Sequence, residues 1–362
     1  MKILYITPFV EGAGGVQRVL STKTNYLIDR YNYEISILST NSGIDNKHYD
    51  FNDNIKFYSE QVSGSVFTYL YNYSKILKKH IEKIKPDIIV VCDNGYKGYA
   101  IPFLISVEQK IIFECHGTRH TEEKGNRICN YILNSFKYKF FDICAAQFSK
   151  IIAPVDDFKN EFNSNNLVVI PNPLWFFTDN EPNYNSKKVI AVGRHSYQKN
   201  FEVMLSIWKK VVVKHPDWVL EIYGESDSNI DLKSVSNILG INKNVVFYDA
   251  VRNINEKYLE ASFFLLTSRF EGFGMVLIEA MASGLACVSF DCRRGPKDII
   301  ENNRNGFLIR FGDEEAFMEK VNLLIEDENL RLQMGKNAQE SIGKYDIDSI
   351  MQQWKLLFES IV

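Results

Sequence analysis

No apolar run in this 362-residue chain approaches the ~20 residues that a helix needs to span a bilayer. Neither sign of charge is in excess. Lys and Arg number 42 against 45 Asp and Glu, a formal net charge of −3, so nothing in the totals points to nucleic acid. Cysteine is sparse and scattered. The six residues Cys92, Cys115, Cys129, Cys144, Cys287 and Cys292 form no CxxC pair. Metal-site spacing is therefore absent, and the thiols read as reduced, as in a cytoplasmic protein. No low-complexity tract or short repeat is visible. The opening Met1–Pro8 has too short an apolar run for a signal peptide and no small-residue cleavage site behind it; it reads as a first β-strand. What is plentiful is aromatic: 25 Phe and 19 Tyr in a chain that is 45% hydrophobic and 24% charged. Those proportions are ordinary for a globular protein, and the length suggests two domains with ample core.

The chain alternates short apolar runs with helical patterns. Lys2–Ile6 reads as a strand, followed by the turn Gly12-Ala13-Gly14-Gly15 and a helix over Val16–Arg30. Further strands are expected at Ser36–Leu38, Ile55–Tyr58, Ile88–Val91, Lys110–Phe113, Ile151–Pro154 and Leu167–Ile170, with a helix at Leu70–Ile84. Continuous Val/Ile-rich strands separated by helices imply a parallel sheet covered on both faces. Pro171 to Ser186 carries three prolines and several Asn, breaks both periodicities and reads as a linker. A second series follows at Val189–Val192, Val219–Tyr223, Val245–Phe247, Phe263–Leu266, Ala286–Phe290 and Gly306–Ile309, with helices at Phe201–Lys214 and Met275–Met281. The expected division is residues 1–172, a linker over 173–186, a second domain over 187–345 and a terminal amphipathic helix over 346–362. Two doubly wound domains of this type bind ligands at the carboxyl ends of their strands.

The most informative run is Glu271 to Glu279, continuing to Gly284. Two carboxylates stand eight positions apart, and a helix is expected to start near Gly274 between them. A helix N-terminus offers unpaired N–H groups and a positive dipole end, so it attracts an anion such as a diphosphate. A carboxylate on either side suits hydroxyls flanking that anion, the pattern of a nucleotide-sugar. An amphipathic helix with two solvated glutamates is the plain alternative.

The second domain opens on Gly193-Arg194 with Lys199 five positions on, between a strand and a helix. A guanidinium fork and a compact ammonium together suit a diphosphate; a basic loop in water is the alternative. Gly14-Gly15 in the first turn permits close approach of backbone N–H groups to an anion. Gly12-x-Gly14-Gly15 is not the dinucleotide fingerprint, and no acidic residue ends a second strand, so an NAD dehydrogenase is disfavoured. His116, after the strand ending at Cys115, is placed either to touch a sugar hydroxyl or as a structural histidine. His116 and His120 stand at i, i+4, but no third metal ligand accompanies them.

These residues together resemble the retaining glycosyltransferases of family 4, which have the GT-B fold. The resemblance runs over nearly the whole chain: Gly14-Gly15-Val16, His116-Gly117, Pro171-Asn172-Pro173, Gly193-Arg194 with Lys199, Tyr223-Gly224-Glu225, Glu271-x7-Glu279, Ala282-Ser283-Gly284 and Gly295-Pro296 with Asp298. It implies an α/β architecture of two Rossmann-like, doubly wound parallel-sheet domains facing across a cleft. The terminal helix would cross back to the first domain. It also implies roles. Arg194 and Lys199 would bind the donor diphosphate, and Glu279 the ribose hydroxyls. Glu271 would contact the donor sugar near its reacting face, and His116 a sugar hydroxyl. The backbone of Phe273, Gly274, Met275 and Val276 would cap sugar and phosphates. Gly15, beside Gly14, would approach the distal phosphate, Gly193 would belong to the donor-binding set with Arg194 and Lys199, and the base would lie near Gly224 and Asp249–Arg252. No cofactor and no metal are expected. Asp346-Ile347-Asp348 spells DxD but reads as a helix start.

The implied reaction is transfer of a sugar from a UDP-sugar to an acceptor hydroxyl with retention, in bacterial surface polysaccharide or lipid-linked glycan synthesis. Tyr69–Lys85 mixes aromatics with six Lys/His cations. It reads as a helix that either rests on an anionic membrane surface or carries an ordinary solvated basic face. Arg293-Arg294 would meet an acidic acceptor. A nucleotide-sugar 2-epimerase and a non-catalytic nucleotide-sugar-binding module are the competing readings.

Overall fold

The computed structural model describes residues 1–41, 43–105, 108–118, 128–162, 164–227 and 230–362. Two compact units divide them: Met1–Pro173 with Ile347–Val362, and Leu174–Asp346.

The first unit runs β1 (Lys2–Thr7), α1 (Gly15–Tyr31), β2 (Glu34–Ser39), β3 (Lys56–Ser59), α2 (Val66–Ile84), β4 (Ile88–Val91), α3 (Tyr96–Leu104), β5 (Lys110–Glu114), α4 (Ile128–Ala145), β6 (Lys150–Ala153) and β7 (Leu167–Val169). Its seven strands are parallel in the order β3-β2-β1-β4-β5-β6-β7. The order reverses direction between β1 and β4. Right-handed crossovers then put α1 on one face and α2, α3 and α4 on the other. The middle strands are apolar along their whole length, as burial on both faces requires: Ile3–Ile6 and Ile88–Val91 are buried throughout.

The second unit runs β8 (Lys188–Val192), α5 (Phe201–Lys214), β9 (Val219–Tyr223), α6 (Leu232–Leu239), β10 (Val245–Tyr248), α7 (Ile254–Leu259), β11 (Phe263–Leu266), α8 (Met275–Ala282), β12 (Ala286–Asp291), α9 (Pro296–Ile299), β13 (Gly306–Arg310), α10 (Glu314–Glu326) and α11 (Glu328–Ser341). Its six parallel strands lie in the order β10-β9-β8-β11-β12-β13, reversing between β8 and β11. A cluster of α5, the sheet and α10, centred on Trp208, Phe263 and Phe317, forms its core.

The last helix, α12 (Ile347–Ile361), packs into the first unit. Ile350, Met351, Trp354, Leu357 and Phe358 make a helical stripe that joins Leu20, Leu27 and Ile28 of α1 in the core. Each such side chain is worth roughly 1.5–3 kcal/mol of burial. Asp348 accepts the Tyr26 O–H at 2.5 Å, so the DxD spelling belongs to the start of this helix.

Two features depart from the sequence expectation. The proline-rich stretch expected as a linker over 173–186 is, from Leu174 on, part of the second unit. Leu174 N–H donates to Tyr345 O at 2.8 Å, and Asn183 N–H to Leu259 O at 2.8 Å. The Tyr184 O–H donates to Gly284 O at 2.9 Å, while buried Arg331 donates to Tyr184 O at 2.9 Å. Proline forbids helix and ladder hydrogen bonding, but it does not forbid an extended segment whose carbonyls are met by side chains. The second departure lies in α3 and α4, which the sequence reading did not place; in α3 the apolar residues have no helical period and Pro102 lies inside it.

Candidate functional site

Each sheet's reversal leaves a crevice at the carboxyl ends of two strands, where loops can converge on a ligand. In the second unit those loops are 193–200 after β8 and 267–274 after β11. They are tied to each other. Asn200 Nδ2 donates to Thr267 O at 3.1 Å, Thr267 Oγ1 to Lys199 O at 3.1 Å, and Gln198 Nε2 to Phe270 O at 3.0 Å.

Lys199 and Glu271 meet at this crossing. Lys199 Nζ lies 2.8 Å from Glu271 Oε1, and the Ser268 O–H donates to the same oxygen at 2.6 Å. Both side chains are largely buried. Gly193 makes the fit possible. It has φ +154°, and a Cβ there would stand 2.7 Å from Lys199 Cε. The lysine stem lies directly over its backbone. Gly224 is needed one strand away, since a Cβ on it would fall 2.0 Å from Gly193 O.

Glu279 sits one turn into α8, buried. Its Oε1 accepts from Trp175 Nε1–H at 2.8 Å and its Oε2 from the Tyr258 O–H at 3.2 Å. Gly274 is the N-cap of α8 at φ +101°, and the helix leaves the N–H groups of its first residues, Met275 and Val276, without intrahelical acceptors. The first turn carries no acidic residue to neutralise the dipole. Phe273 is buried edge-on against Tyr345, with ring centroids 5.4 Å apart.

Arg194 is different in kind. It is exposed, and its Nε lies 3.4 Å from Glu225 Oε2, a weak surface pair. The expected Arg194–Lys199 partnership therefore joins one largely buried, anchored cation to one exposed cation. The expected Arg293-Arg294 pair is split: Arg293 is exposed, whereas Arg294 is buried with φ +66°. They do not present a shared basic surface to an acceptor.

In the first unit, Gly14 is the extended N-cap residue of α1 and Gly15 its first residue; the first turn again lacks an acid. His116 follows β5. Its backbone N–H, at 3.2 Å, and that of Gly117, at 3.4 Å, both donate to Asn94 Oδ1. The imidazole is turned inward, with Nε2 3.5 Å from Glu114 Oε1. Burial lowers its pKa against the opposing pull of Glu114. His120 lies outside the described residues.

Glu114 anchors a buried cluster that sequence reasoning missed. Lys23 Nζ is 2.6 Å from Glu114 Oε1 and 3.3 Å from the Trp354 ring centre, and the Cys92 S–H donates to Glu114 Oε2 at 3.6 Å. Burial alone would raise the Glu114 pKa; the Lys23 ammonium, with His116, holds it below the usual carboxylate range. Cys92, Glu114 and His116 present metal-type ligand atoms within 4.8 Å of one another. The Lys23 ammonium already supplies the charge that Glu114 needs, and a divalent ion would stand beside a like charge, so the set does not fit a metal. The sequence did hold a signal: Lys23 falls within the apolar Leu20-Leu27-Ile28 stripe. Trp175 and Tyr258 were missed because they lie 104 and 21 positions from Glu279.

Comparison with known proteins matches residues 176–341 to the family described as glycosyl transferases group 1. An uncharacterized glycosyltransferase of Haemophilus influenzae is 27% identical over 357 residues, covering 98% of this chain and 99% of its own length. The amylovoran biosynthesis glycosyltransferase AmsD of Erwinia amylovora is 27% identical over 367 residues, with 98% of each chain covered. Among solved structures, HepE of Anabaena in complex with UDP-glucose superposes with a TM-score of 0.79 at 18% identity, covering 99% of this chain and 100% of that one. The two-domain fold is thus that of GT-B glycosyltransferases, and the chain is similar to glycosyltransferases over its whole length.

Proposed function

We propose that this protein is a retaining glycosyltransferase of family 4 that moves a sugar from a nucleoside diphosphate sugar, UDP-linked, to a hydroxyl of a glycan or lipid-linked acceptor in bacterial surface polysaccharide or glycoconjugate synthesis. The observation that carries this reading is the second unit's crevice. A largely buried ammonium, a helix N-terminus and two buried carboxylates with separate partners are brought together there by interlocked loops.

The chemistry follows from the charges. As the glycosidic bond breaks, negative charge grows on the leaving diphosphate and positive charge on the sugar ring. Lys199 and the N–H groups opening α8 are fixed dipoles and charge for the phosphate, already oriented before the reaction. Arg194, on its exposed side chain, adds a guanidinium that swings from Glu225 to the diphosphate. Glu279 takes the ribose hydroxyls. Glu271 faces the donor sugar, but its Oε1 is engaged by Lys199 and Ser268. That supports a front-face path, in which the leaving phosphate itself receives the acceptor proton, over a covalent glycosyl-glutamate. Fixed cationic charge from the protein supports a reaction that needs no metal.

Thermal-shift measurement against UDP, GDP, ADP, CMP and NAD without metal tests the donor class. UDP alone is expected to stabilise the protein, by about 2.7 kcal/mol at 100 times its dissociation constant. The shift should vanish in Arg194→Ala and Glu279→Ala. A shift with NAD alone would overturn the reading, and product formation without an added acceptor would favour an epimerase.

The cytoplasmic, peripheral-membrane placement is part of the same proposal. On α2 the observation favours the plain alternative: Tyr73, Leu77 and Ile81 face the core, and His80 is buried beside Glu60 rather than on the basic face. The neighbouring α3 and α4 support contact better. Phe136, Phe140 and Ile143 stand exposed around Lys139, and Phe103 is 58% exposed. Exposed lysines 75, 78, 79 and 83 of α2 line the same layer. Co-sedimentation with phosphatidylglycerol vesicles, but not phosphatidylcholine vesicles, is expected. It should fall severalfold in Phe136→Ser/Phe140→Ser with the melting temperature unchanged. Equal pelleting of that variant would remove this surface from the proposal.

A further inference from the structure

The two glutamates of the site are held by different means. Glu271 is held by a cation, Glu279 by neutral donors that come from far away in the chain. Trp175 brings its indole N–H to Oε1 and Tyr258 its hydroxyl to Oε2, one donor on each oxygen. A terminal carboxylate otherwise rotates broadly about its last torsion. Two donors on opposite oxygens stop that rotation and fix the plane of the group. A carboxylate offers about four lone-pair sites, two on each oxygen, so it can meet fixed donors and a diol together.

Both donors are themselves immobilised. Trp175 follows Leu174, whose N–H is bonded to Tyr345 O, and its ring packs at 60° on Phe176 with centroids 4.5 Å apart. Tyr345 in turn meets Phe273 at the other end of the Glu271–Glu279 run. Tyr258 is fully buried on α7 with its ring 6.0 Å from Phe264 of β11. The segment entering the second unit is therefore fastened to both ends of the run that carries the two carboxylates.

We infer that Trp175 and Tyr258 are positioning residues that aim the Glu279 carboxylate at a vicinal diol, the 2′- and 3′-hydroxyls of a bound nucleotide, and so make the site selective for ribose. This rests on the reading of Glu279 as the ribose contact. Preorganisation of this kind lowers the ordering cost of binding rather than adding a contact to the ligand.

The test is calorimetric titration of the full chain with UDP, GDP and ADP, and with the 2′,3′-dideoxy counterpart of whichever binds. Wild type, Trp175→Phe, Tyr258→Phe, Glu279→Gln and the Trp175→Phe/Glu279→Gln double variant are compared. Each Phe variant is expected to weaken the ribonucleotide about three- to tenfold. The dideoxynucleotide should bind all variants alike, and Trp175→Phe should add nothing in the Glu279→Gln background. A merely structural role would weaken both nucleotides equally and additively, and that result overturns the inference. Loss of affinity in Glu279→Gln with none in either Phe variant overturns it alone. Unchanged affinity in Glu279→Gln, or no nucleotide binding by wild type, overturns it together with the reading of Glu279.

Discussion

Lys199→Ala is expected to lower kcat/KM for sugar transfer by about 10²- to 10³-fold, the usual consequence of removing one preorganised group from a developing anion. The loss should fall on kcat at least as much as on donor binding, because the charge it meets grows toward the transition state. A second effect accompanies it. Glu271 would keep Ser268 but lose its buried countercharge, and an uncompensated buried carboxylate costs on the order of 3–5 kcal/mol. Thermal melting beside steady-state kinetics separates the two. Glu271→Gln/Lys199→Ala should recover much of the melting temperature and none of the rate. Full activity in folded Lys199→Ala would remove the lysine from the site.

The second large effect lies in the other unit. Lys23→Met should destabilise the first unit by about 3–5 kcal/mol, since Lys23 and Glu114 are almost wholly buried and Glu114 would lose its countercharge. Met keeps the stem against Trp354 but not the ammonium over its ring. Lys23→Met/Glu114→Leu, which removes both charges, should be markedly more stable than the single variant. Urea unfolding followed by tryptophan fluorescence measures both. A loss below 1 kcal/mol in Lys23→Met would mean that the pair is not stabilising the unit as argued.

How much of this was legible beforehand depended on the range of the interaction. Strands such as Ile88–Val91 and Phe263–Leu266 announce themselves because burial on both faces demands an unbroken apolar run. Glycines 193, 224 and 274 announce the crevice because no other residue tolerates those close approaches or backbone angles. The loop placement of Lys199 and Glu271 followed from strand ends alone. The inward turn of Lys23 had only its place in the apolar stripe of α1 to announce it, since its partner is 91 positions away and a lysine on a helix is ordinarily solvated. The fate of residues 174–186 was not announced, since proline obscures a packed segment as readily as it marks a free one. The different exposure of Arg293 and Arg294, with Arg294 at φ +66°, is concealed by identical neighbouring side chains.

The return of α12 to the first unit has a consequence for synthesis. Residues 1–173 leave the ribosome with the stripe of α1 uncovered and with the Lys23 ammonium lacking the indole beneath which it comes to rest. Leu174–Asp346, an uninterrupted stretch, emerges next and holds every residue of its own sheet. The half of the molecule made first is thus the half finished last, when Ile350, Trp354 and Phe358 arrive to close a core begun more than three hundred residues earlier.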